Sequence, residues 1–403
     1  MTNSKSYPRR VAMACALAVA LANTSVGATA AEPARSPAST ALQDGDVAKL
    51  VADFGLVEST RAVRDMPGWT KPTKAVVFVD GNPGRAAWLQ KAVPDVNVVA
   101  VRSAKEAIEQ IADADILIGD CRPEQLLKTA KKLRYFHYPH GGMDRCANNA
   151  ELLSGRMLVT NAQRVHGPVM AQHAIAMTLA LYRGLDLYVR QNKDGRFAGG
   201  PEAGVPGDKL RSIEGRTMLV VGLGGIGTPT AKLAHAIGMR VIATRNSSRE
   251  GPEYVDYVGL ADELPALIGQ ADVVVMSAPL TPATTRLFDA AMFARMKKGA
   301  LFINLGRGEQ VVQDDLLAAL VSGHLGGAGL DATAPEPLPP GYPLYNAPNI
   351  IITPHISAHA TDDDGTSISG FAGEPQWQIA RENLRRYAAG ERVFSVVDFK
   401  RGY

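Results

Sequence analysis

The chain has 403 residues, 46% of them hydrophobic and 21% charged, and 43 Lys and Arg against 40 Asp and Glu leave a formal net charge of +3. At roughly 100 to 200 residues per domain, that is enough for two ordinary domains with extensions, in the composition range of a soluble globular protein. Nucleic-acid binding calls for a clustered basic face, and the sequence has none, so no nucleic-acid partner is expected.

Lys5, Arg9 and Arg10 precede an apolar run from Val11 to Ala22, and Ala28-Thr29-Ala30 then forms an A-x-A site with Ala31 first in the mature chain. This is the pattern of a secretory signal peptide over residues 1 to 30. The run of about 12 residues is short of the roughly 20 that a spanning helix needs. An uncleaved anchor is therefore the weaker reading, and no stable membrane span is expected after processing. Arg9-Arg10 also admits a twin-arginine signal, which would suit export of a protein already folded around a cofactor. The mature chain is thus expected outside the cytoplasm, periplasmic or secreted. Residues 31 to 73 read as a linker and N-terminal extension. Up to about residue 45 they are small, polar and Pro-containing, and from Asp46 to Leu56 the apolar positions Val47, Leu50, Val51, Phe54 and Leu56 suit a short amphipathic helix.

From Lys74 an alternating series begins: AVVFVD (75 to 80), VNVVAV (96 to 101), ADILIGD (114 to 120), LRYFHY (133 to 138) and MLVTNA (157 to 162), with helical patterns between. Strands alternating with helices predict a parallel sheet covered on both faces, a domain in its own right. His166 to Arg190 is too long for a strand and predicts one helix joining two domains. Residues 195 to 208 (GRFAGGPEAGVPGD) then form a glycine- and proline-rich loop.

The second series opens with TMLVVGLGGIG (217 to 227), where Met218 to Val221 meets Gly222, Gly224 and Gly227 at G-x-G-x-x-G spacing and a helical pattern follows. The first glycine permits a tight turn, the second lets backbone approach a pyrophosphate, and the third lets helix pack closely on strand; the helix N-terminus then faces the phosphates. A glycine-rich turn without ligand is the alternative, which the flanking strand and helix disfavour. The expected cofactor contacts are Gly222, Gly224, Gly225, Ile226 and Gly227. The next strand, MRVIA (239 to 243), ends in Thr244, Arg245, Asn246, Ser247, Ser248 and Arg249, where an acidic residue would bind a ribose 2′-hydroxyl. A guanidinium and hydroxyls instead suit a 2′-phosphate. With Arg245 and Ser247 as contacts, NADP is preferred and NAD is the alternative; a solvated basic loop is the bland reading.

ADVVVMSAPL (271 to 280), ALFINLG (300 to 306), GGAGLDAT (326 to 333) and NIIITPH (349 to 355) continue the series, each ending in a segment able to reach a crevice at the carboxyl edge of a sheet. Arg307, Glu336 and His355 follow the last three of these. An arginine, a carboxylate and an imidazole at one sheet edge fit hydride transfer on a carbonyl. Arg binds the substrate carboxylate and polarises the carbonyl, His moves the proton, and Glu orients His and favours its charged form. Singly, each residue is ordinary: a surface Arg, a solvated Glu, a loop His. No metal is called for.

At these residues the sequence resembles the D-isomer-specific 2-hydroxyacid dehydrogenases. INLGRGEQVVQDDLLAAL (303 to 320), GAGLDATAPEPLP (327 to 339) and IITPHIS (351 to 357) are similar to that family's arginine, glutamate and histidine segments. VTNAQRVHGPVMAQHAIAMTLAL (159 to 181) and ENLRRYAAGERVFSVVD (382 to 398) match as well, so the similarity covers about residues 74 to 398. The resemblance implies Arg307, Glu336 and His355 as catalytic residues, Asp331 on the nicotinamide carboxamide, and a small 2-keto acid or D-2-hydroxy acid as substrate. Its carboxylate would meet Arg307 and the backbone N–H groups of Gly141 and Gly142, in a loop like His140-Gly141-Gly142-Met143-Asp144. It also implies an α/β fold of two doubly wound parallel-sheet domains, with a Rossmann cofactor domain (163 to 357) inserted in a flavodoxin-like substrate domain (74 to 162 and 358 to 403), and a homodimer is expected. HYPHGGMD, Gln172 in place of a usual Glu, and Asp362, Asp363 and Asp364 depart from the family pattern and leave substrate choice open.

Two other classes remain. An exported, non-catalytic nucleotide sensor would keep the glycine loop, and an S-adenosylhomocysteine hydrolase-like enzyme would share the cofactor fold but not this Arg, Glu, His order. Of three cysteines, Cys15 leaves with the signal peptide. Cys121 and Cys146 follow consecutive strands, and an oxidising compartment permits a disulfide between them if their Cα atoms come within about 7 Å. Two unrelated buried thiols are the alternative.

Overall fold

The inner strands of the first series are apolar on both faces, as a parallel sheet with helices on either side requires. The computed structural model describes residues 47–79, 82, 84–146, 148–193, 195, 197, 210–361, 367–368 and 375–399. Its first strands are β1 (Lys74–Phe78), β2 (Asn97–Val101), β3 (Ile116–Ile118), β4 (Tyr135–Tyr138) and β5 (Leu158–Asn161), all parallel in the order β2-β1-β3-β4-β5. Helices α1 (Val47–Phe54), α2 (Gly84–Gln90), α3 (Ala104–Gln110), α4 (Glu124–Thr129) and α5 (Ala150–Leu153) accompany them. Alternate residues along a strand point to opposite faces. Val76, Leu117 and Phe136 accordingly pack with Ala107, Leu126 and Leu127 of α3 and α4, while Ala75, Val77, Ile116 and Tyr135 pack with Trp88 and Leu89 of α2.

Two helices follow, α6 (Gly167–Tyr182) and α7 (Leu185–Lys193). The single helix expected from His166 to Arg190 is thus broken: Gly184 stands at φ +61°, a left-handed conformation that ends a helix, and Arg183 closes α6 by donating its N–H to Leu179 O. The second sheet holds β6 (Thr217–Val221), β7 (Arg240–Arg245), β8 (Tyr257–Leu260), β9 (Val273–Met276), β10 (Leu301–Asn304), β11 (Gly327–Leu330) and β12 (Ile350–Ile352). They run parallel in the order β12-β11-β10-β9-β6-β7-β8, so the chain reverses direction of growth between β6 and β9, where a doubly wound sheet opens its ligand crevice. Strand β8 was not among the sequence expectations; four residues long and half exposed at the sheet edge, it carries no periodic signal. The flanking helices are α8 (Gly227–Ala236), α9 (Leu264–Leu267), α10 (Ala290–Arg295) and α11 (Gln313–Val321). Met170, Ala174, Met177 and Leu181 place α6 in the core of this second sheet.

The last helix, α12 (Pro375–Ala388), returns to the first sheet and buries Trp377, Ala380, Leu384 and Tyr387 on the face that holds Val77 and Tyr135. The Tyr135 and Tyr387 rings stack at 4.4 Å. Past the helix, Val397 donates to Val159 O at 2.9 Å, so the chain end lies beside β5. The N-terminal extension is better integrated than its linker-like start suggests. Leu50, Phe54 and Leu56 pack with Ile379 and Phe394, Ser59 donates to Val393 O at 2.7 Å, and Trp69 Nε1 donates to Tyr387 O at 3.2 Å. No helix among the described residues is long and apolar enough to cross a membrane. The signal-peptide and early linker readings, Asp362 to Asp364, and most of the 195 to 208 loop lie outside the described residues.

Candidate active site

Strands β10, β11 and β12 are neighbours, so the segments leaving their carboxyl ends must meet. Arg307 leaves β10 on a backbone held by three amide side-chain contacts: Asn304 Nδ2 donates to Arg307 O at 3.0 Å, Gly306 N donates to Asn304 Oδ1 at 3.0 Å, and Arg307 N donates to Gln310 Oε1 at 2.8 Å. Gln310 in turn donates to Ala278 O and Pro279 O, both at 3.1 Å. Asn304 and Gln310 are fully buried. Neither was singled out from the sequence; a polar residue ending an apolar strand such as FIN is the signal that could have found Asn304.

Glu336 leaves β11. Gln313 clamps this segment from α11, accepting from Ala334 N at 3.0 Å and donating to Ala334 O at 2.6 Å. A Cβ at Gly308 would collide with the backbone of Thr333 and Ala334, so the arginine and glutamate segments are in direct contact. His355 leaves β12 after Thr353-Pro354 in a left-handed conformation, φ +55°. Its Nδ1 lies 2.8 Å from Glu336 Oε1, and both side chains are about one-third exposed, at 31% and 36%. A carboxylate can only accept, so in this contact Nδ1 carries the hydrogen and Nε2 faces away from Glu336.

Asp331, expected on the nicotinamide, also braces the histidine segment. Its buried carboxylate accepts from Thr353 Oγ1 at 2.6 Å, Ile356 N at 2.9 Å and Ser357 N at 3.0 Å, on both sides of His355. Burial pushes this carboxyl up, but the hydrogen bonds from Ser357, Thr353 and Ile356 outweigh it and hold the group below its ordinary value. Because Thr353 Oγ1 spends its hydrogen on Asp331, it accepts from His173 Nε2, 3.0 Å away. His173 and Thr353 were not read from the sequence. Gln172, its neighbour on α6, is exposed.

The expected substrate loop arrives from the first sheet. Asn161, fully buried at the end of β5, donates to Gly141 O at 2.8 Å, and Ala162 N donates to His140 O at 3.0 Å. Gly142 packs against Arg307: a Cβ there would run into Arg307 Nη2 and Asp144 Oδ1. Arg307 Nη2 donates to Asp144 Oδ1 at 2.8 Å, and Nη1 to Gly306 O at 3.1 Å. Burial raises the Asp144 carboxyl, and the hydrogen bond and charge of Arg307 more than reverse that, leaving it lowered overall. Two residues further on, Cys146 is bonded to Cys121, with Cα atoms 5.9 Å apart. The open question of the two cysteines is thereby resolved as a bridge that ties the expected substrate loop to the segment after β3.

A dinucleotide fits the other half of the crevice. Gly222 turns at φ +98°, and its Cα faces Ala278 so closely that a Cβ would come within 2.7 Å of that backbone. Gly227 is pressed against Gly222 O and Val220, which is the helix-on-strand contact expected of it. By contrast a Cβ at Gly224 would meet nothing within 4 Å, leaving open the side from which a pyrophosphate would approach. Gly225 serves a purpose not foreseen, since a Cβ there would sit 2.9 Å from Arg164 Cα in the segment leading into α6. Ile226 is the N-cap of α8 and supplies no side-chain cap, so the helix N-terminus is free to face phosphate. Arg245 ends β7, one strand from the glycine turn, donating Nη1 to Glu250 O at 3.0 Å; Ser247 follows, exposed. Arg249 is drawn away by Glu263, 2.7 Å from it, and Tyr257.

Residues 175–357 match the family model described as "D-isomer specific 2-hydroxyacid dehydrogenase, NAD binding domain". The chain is 31% identical over 294 residues to a hydroxypyruvate reductase from Blautia hydrogenotrophica, covering 70% of this chain and 89% of the relative. It is likewise 31% identical over 298 residues to a glyoxylate reductase from Korarchaeum cryptofilum, covering 72% and 84%. Among solved structures, a D-isomer specific 2-hydroxyacid dehydrogenase from Xanthobacter autotrophicus Py2 in complex with NADPH and MES superposes with a TM-score of 0.68 at 27% identity, covering 82% of this chain and all of that one.

Proposed function

The chain belongs to the D-isomer specific 2-hydroxyacid dehydrogenase family, an oxidoreductase lineage acting on 2-hydroxy acids by hydride transfer, and from that premise we propose that it reduces a small 2-keto acid outside the cytoplasm, with NADP as the preferred cofactor. The observation that carries this reading is the His355 Nδ1 to Glu336 Oε1 contact at 2.8 Å beside Arg307, three residues from adjacent strand ends. A nicotinamide held in the crevice would supply the hydride that reduces the carbonyl carbon. His355 Nε2 gives its proton to the carbonyl oxygen, and Glu336 stabilises the imidazolium before that transfer and fixes the ring afterwards. Arg307 grips the substrate carboxylate and withdraws electron density from the carbonyl, while the backbone of Gly141 and Gly142 closes the carboxylate end. Gly222, Gly224, Gly225, Ile226 and Gly227 would hold the pyrophosphate, and Arg245 with Ser247 the 2′-phosphate; residues 244 to 249 include no acidic side chain to repel it.

The relatives named for hydroxypyruvate and glyoxylate make those two acids the first substrates to try. Loss of NADPH absorbance with a panel of 2-keto acids tests the proposal, and nucleotide binding without turnover of any acid would replace it with a sensor. Export rests on the signal-peptide pattern of residues 1 to 30, and a disulfide in the substrate loop suits an oxidising compartment. N-terminal sequencing of the native protein should begin at Ala31. A homodimer is part of the same proposal: Leu185 and Val189, one turn apart on α7, are 51% and 57% exposed and offer an apolar contact, and the mass of the protein in solution decides it.

A further inference from the structure

Arg307 is anchored in its backbone but not along its side chain, which crosses from the second sheet to the first before it meets a charged partner. Asn304 and Gln310 hold its peptide groups. Beyond them the guanidinium has two contacts among the described residues, the neighbouring Gly306 carbonyl and Asp144 Oδ1. The Gly306 carbonyl belongs to the peptide group that Gln310 fixes and engages only Nη1, leaving Nη2 to be placed by another partner. Asp144 is of another kind. It begins a short turn, Asp144–Cys146, in which Cys146 N donates to Met143 O at 2.9 Å, and Cys146 is covalently tied to Cys121 at the end of β3. Gly142 leaves the space that lets Arg307 reach this carboxylate at all. With side chains only 22% and 27% exposed, the pair is shielded from the solvent screening that weakens surface pairs.

We propose that Asp144 is the positioning residue of the substrate-carboxylate arm: by taking one Nη2 hydrogen of Arg307 from a disulfide-braced turn, it sets the plane in which the remaining N–H groups meet the 2-keto acid. The inference rests on the proposed function, since it presumes that Arg307 binds a substrate carboxylate. Asp144 does not itself touch the reacting atoms. Its effect is on the orientation of a flexible guanidinium, whose fork-shaped donors pay off only when they are aligned with a carboxylate.

The test uses the full mature protein with its disulfide formed, in three forms: parent, Asp144→Ala and Asp144→Asn. Steady-state reduction of glyoxylate is measured alongside calorimetric binding of oxamate, an unreactive 2-keto acid mimic, to the NADPH-loaded protein. Losing one charge-assisted hydrogen bond should lower kcat/KM and oxamate affinity in the alanine variant by about 10- to 100-fold, with NADPH affinity within about twofold of parent. The asparagine variant, which keeps an acceptor oxygen of the same reach, should recover most of both. Should the alanine variant bind oxamate as tightly as parent, or more tightly, Asp144 is an idle neighbour or a competitor for Arg307 and the proposal is overturned. Asparagine performing no better than alanine would also overturn it, because orientation by a hydrogen bond would not then be what Asp144 supplies. A parent protein that neither turns over nor binds oxamate refutes the carboxylate-binding reading beneath it, an outcome distinct from the other two.

Discussion

His355 owes its position to two carboxylates with separate tasks. Glu336 holds the ring through Nδ1, and Asp331 holds the loop through the peptide groups of Ile356 and Ser357 and through Thr353. If Nε2 is the proton donor, His355→Ala should lower kcat by about 10²- to 10⁴-fold, the usual contribution of a general acid, while leaving nucleotide binding intact. Stopped-flow reduction with saturating NADPH measures this, and a rate near that of the parent would remove His355 from the mechanism. Cofactor choice also belongs to single residues. Arg245 ends β7, where its guanidinium donates to the neutral backbone carbonyl of Glu250. Arg245→Asp replaces an attraction for a 2′-phosphate with a repulsion, so NADPH should weaken far more than NADH. Fluorescence titrations of both cofactors check it; a parent protein that binds the two equally would argue against Arg245 as the selector. The candidate trio was legible in the sequence because each member follows an apolar strand and stands in a distinctive segment. Asn161, Asn304, Gln310, Thr353 and His173 were not, because a polar side chain shows its use only when its partner is in place.

Among the elements, the expected substrate loop is held covalently. The Cys121–Cys146 bridge closes 25 residues spanning β4 and the loop that carries Gly141, Gly142 and Asp144. A loop of that length should contribute about 3.5 kcal/mol by restricting the unfolded chain. Urea unfolding of oxidised protein and of the Cys121→Ala/Cys146→Ala variant should differ by about that amount, and coincident midpoints would show the bridge to be energetically silent. The two cysteines follow strands consecutive in sequence, Cys146 in the turn Asp144–Cys146 beyond β4, and β3 and β4 prove to be paired neighbours. The long interdomain pattern was misread for a complementary reason: apolar periodicity runs on through Arg183-Gly184, and the break depends on one glycine at positive φ. A helix interior tolerates glycine at modest cost, so its presence alone does not announce a stop.

The molecule as a whole carries a built-in sensitivity to acid. His137 is fully buried on β4, its Nδ1 2.8 Å from Thr160 Oγ1, and burial, with a smaller contribution from His140, pulls it down from 6.5 to about 3. Its folded value lies below its unfolded value, so the unfolded chain binds the extra proton in that window. Stability is then fully present above pH 6.5 and declines as pH falls towards the folded value. Chemical denaturation at intervals through this range should show the decline, and His137→Phe should flatten it if the variant folds. A slope unchanged by that substitution would assign the acid sensitivity to other groups.

What the sequence determined by itself was local. Hydrophobic runs set the strands and Gly222 and Gly227 set the turn into α8, because each depends on the conformation of a few adjacent residues, and Arg245 where an acidic residue would serve NAD set the expectation at the ribose end. The alternation of strands and helices also implied two parallel sheets, and the resemblance to a known family added their arrangement. Only the tertiary structure decided which distant side chains face each other. It brought Asp144 across 163 positions to Arg307, joined Asp331 to the histidine loop, wound the N-terminal extension and α12 against the first sheet, and set Cys121 5.9 Å from Cys146. Such pairings follow from strand order and from the depth at which each loop is packed, and a hydrogen bond over 3 Å is lost or made by shifts far smaller than any pattern of residue types can register.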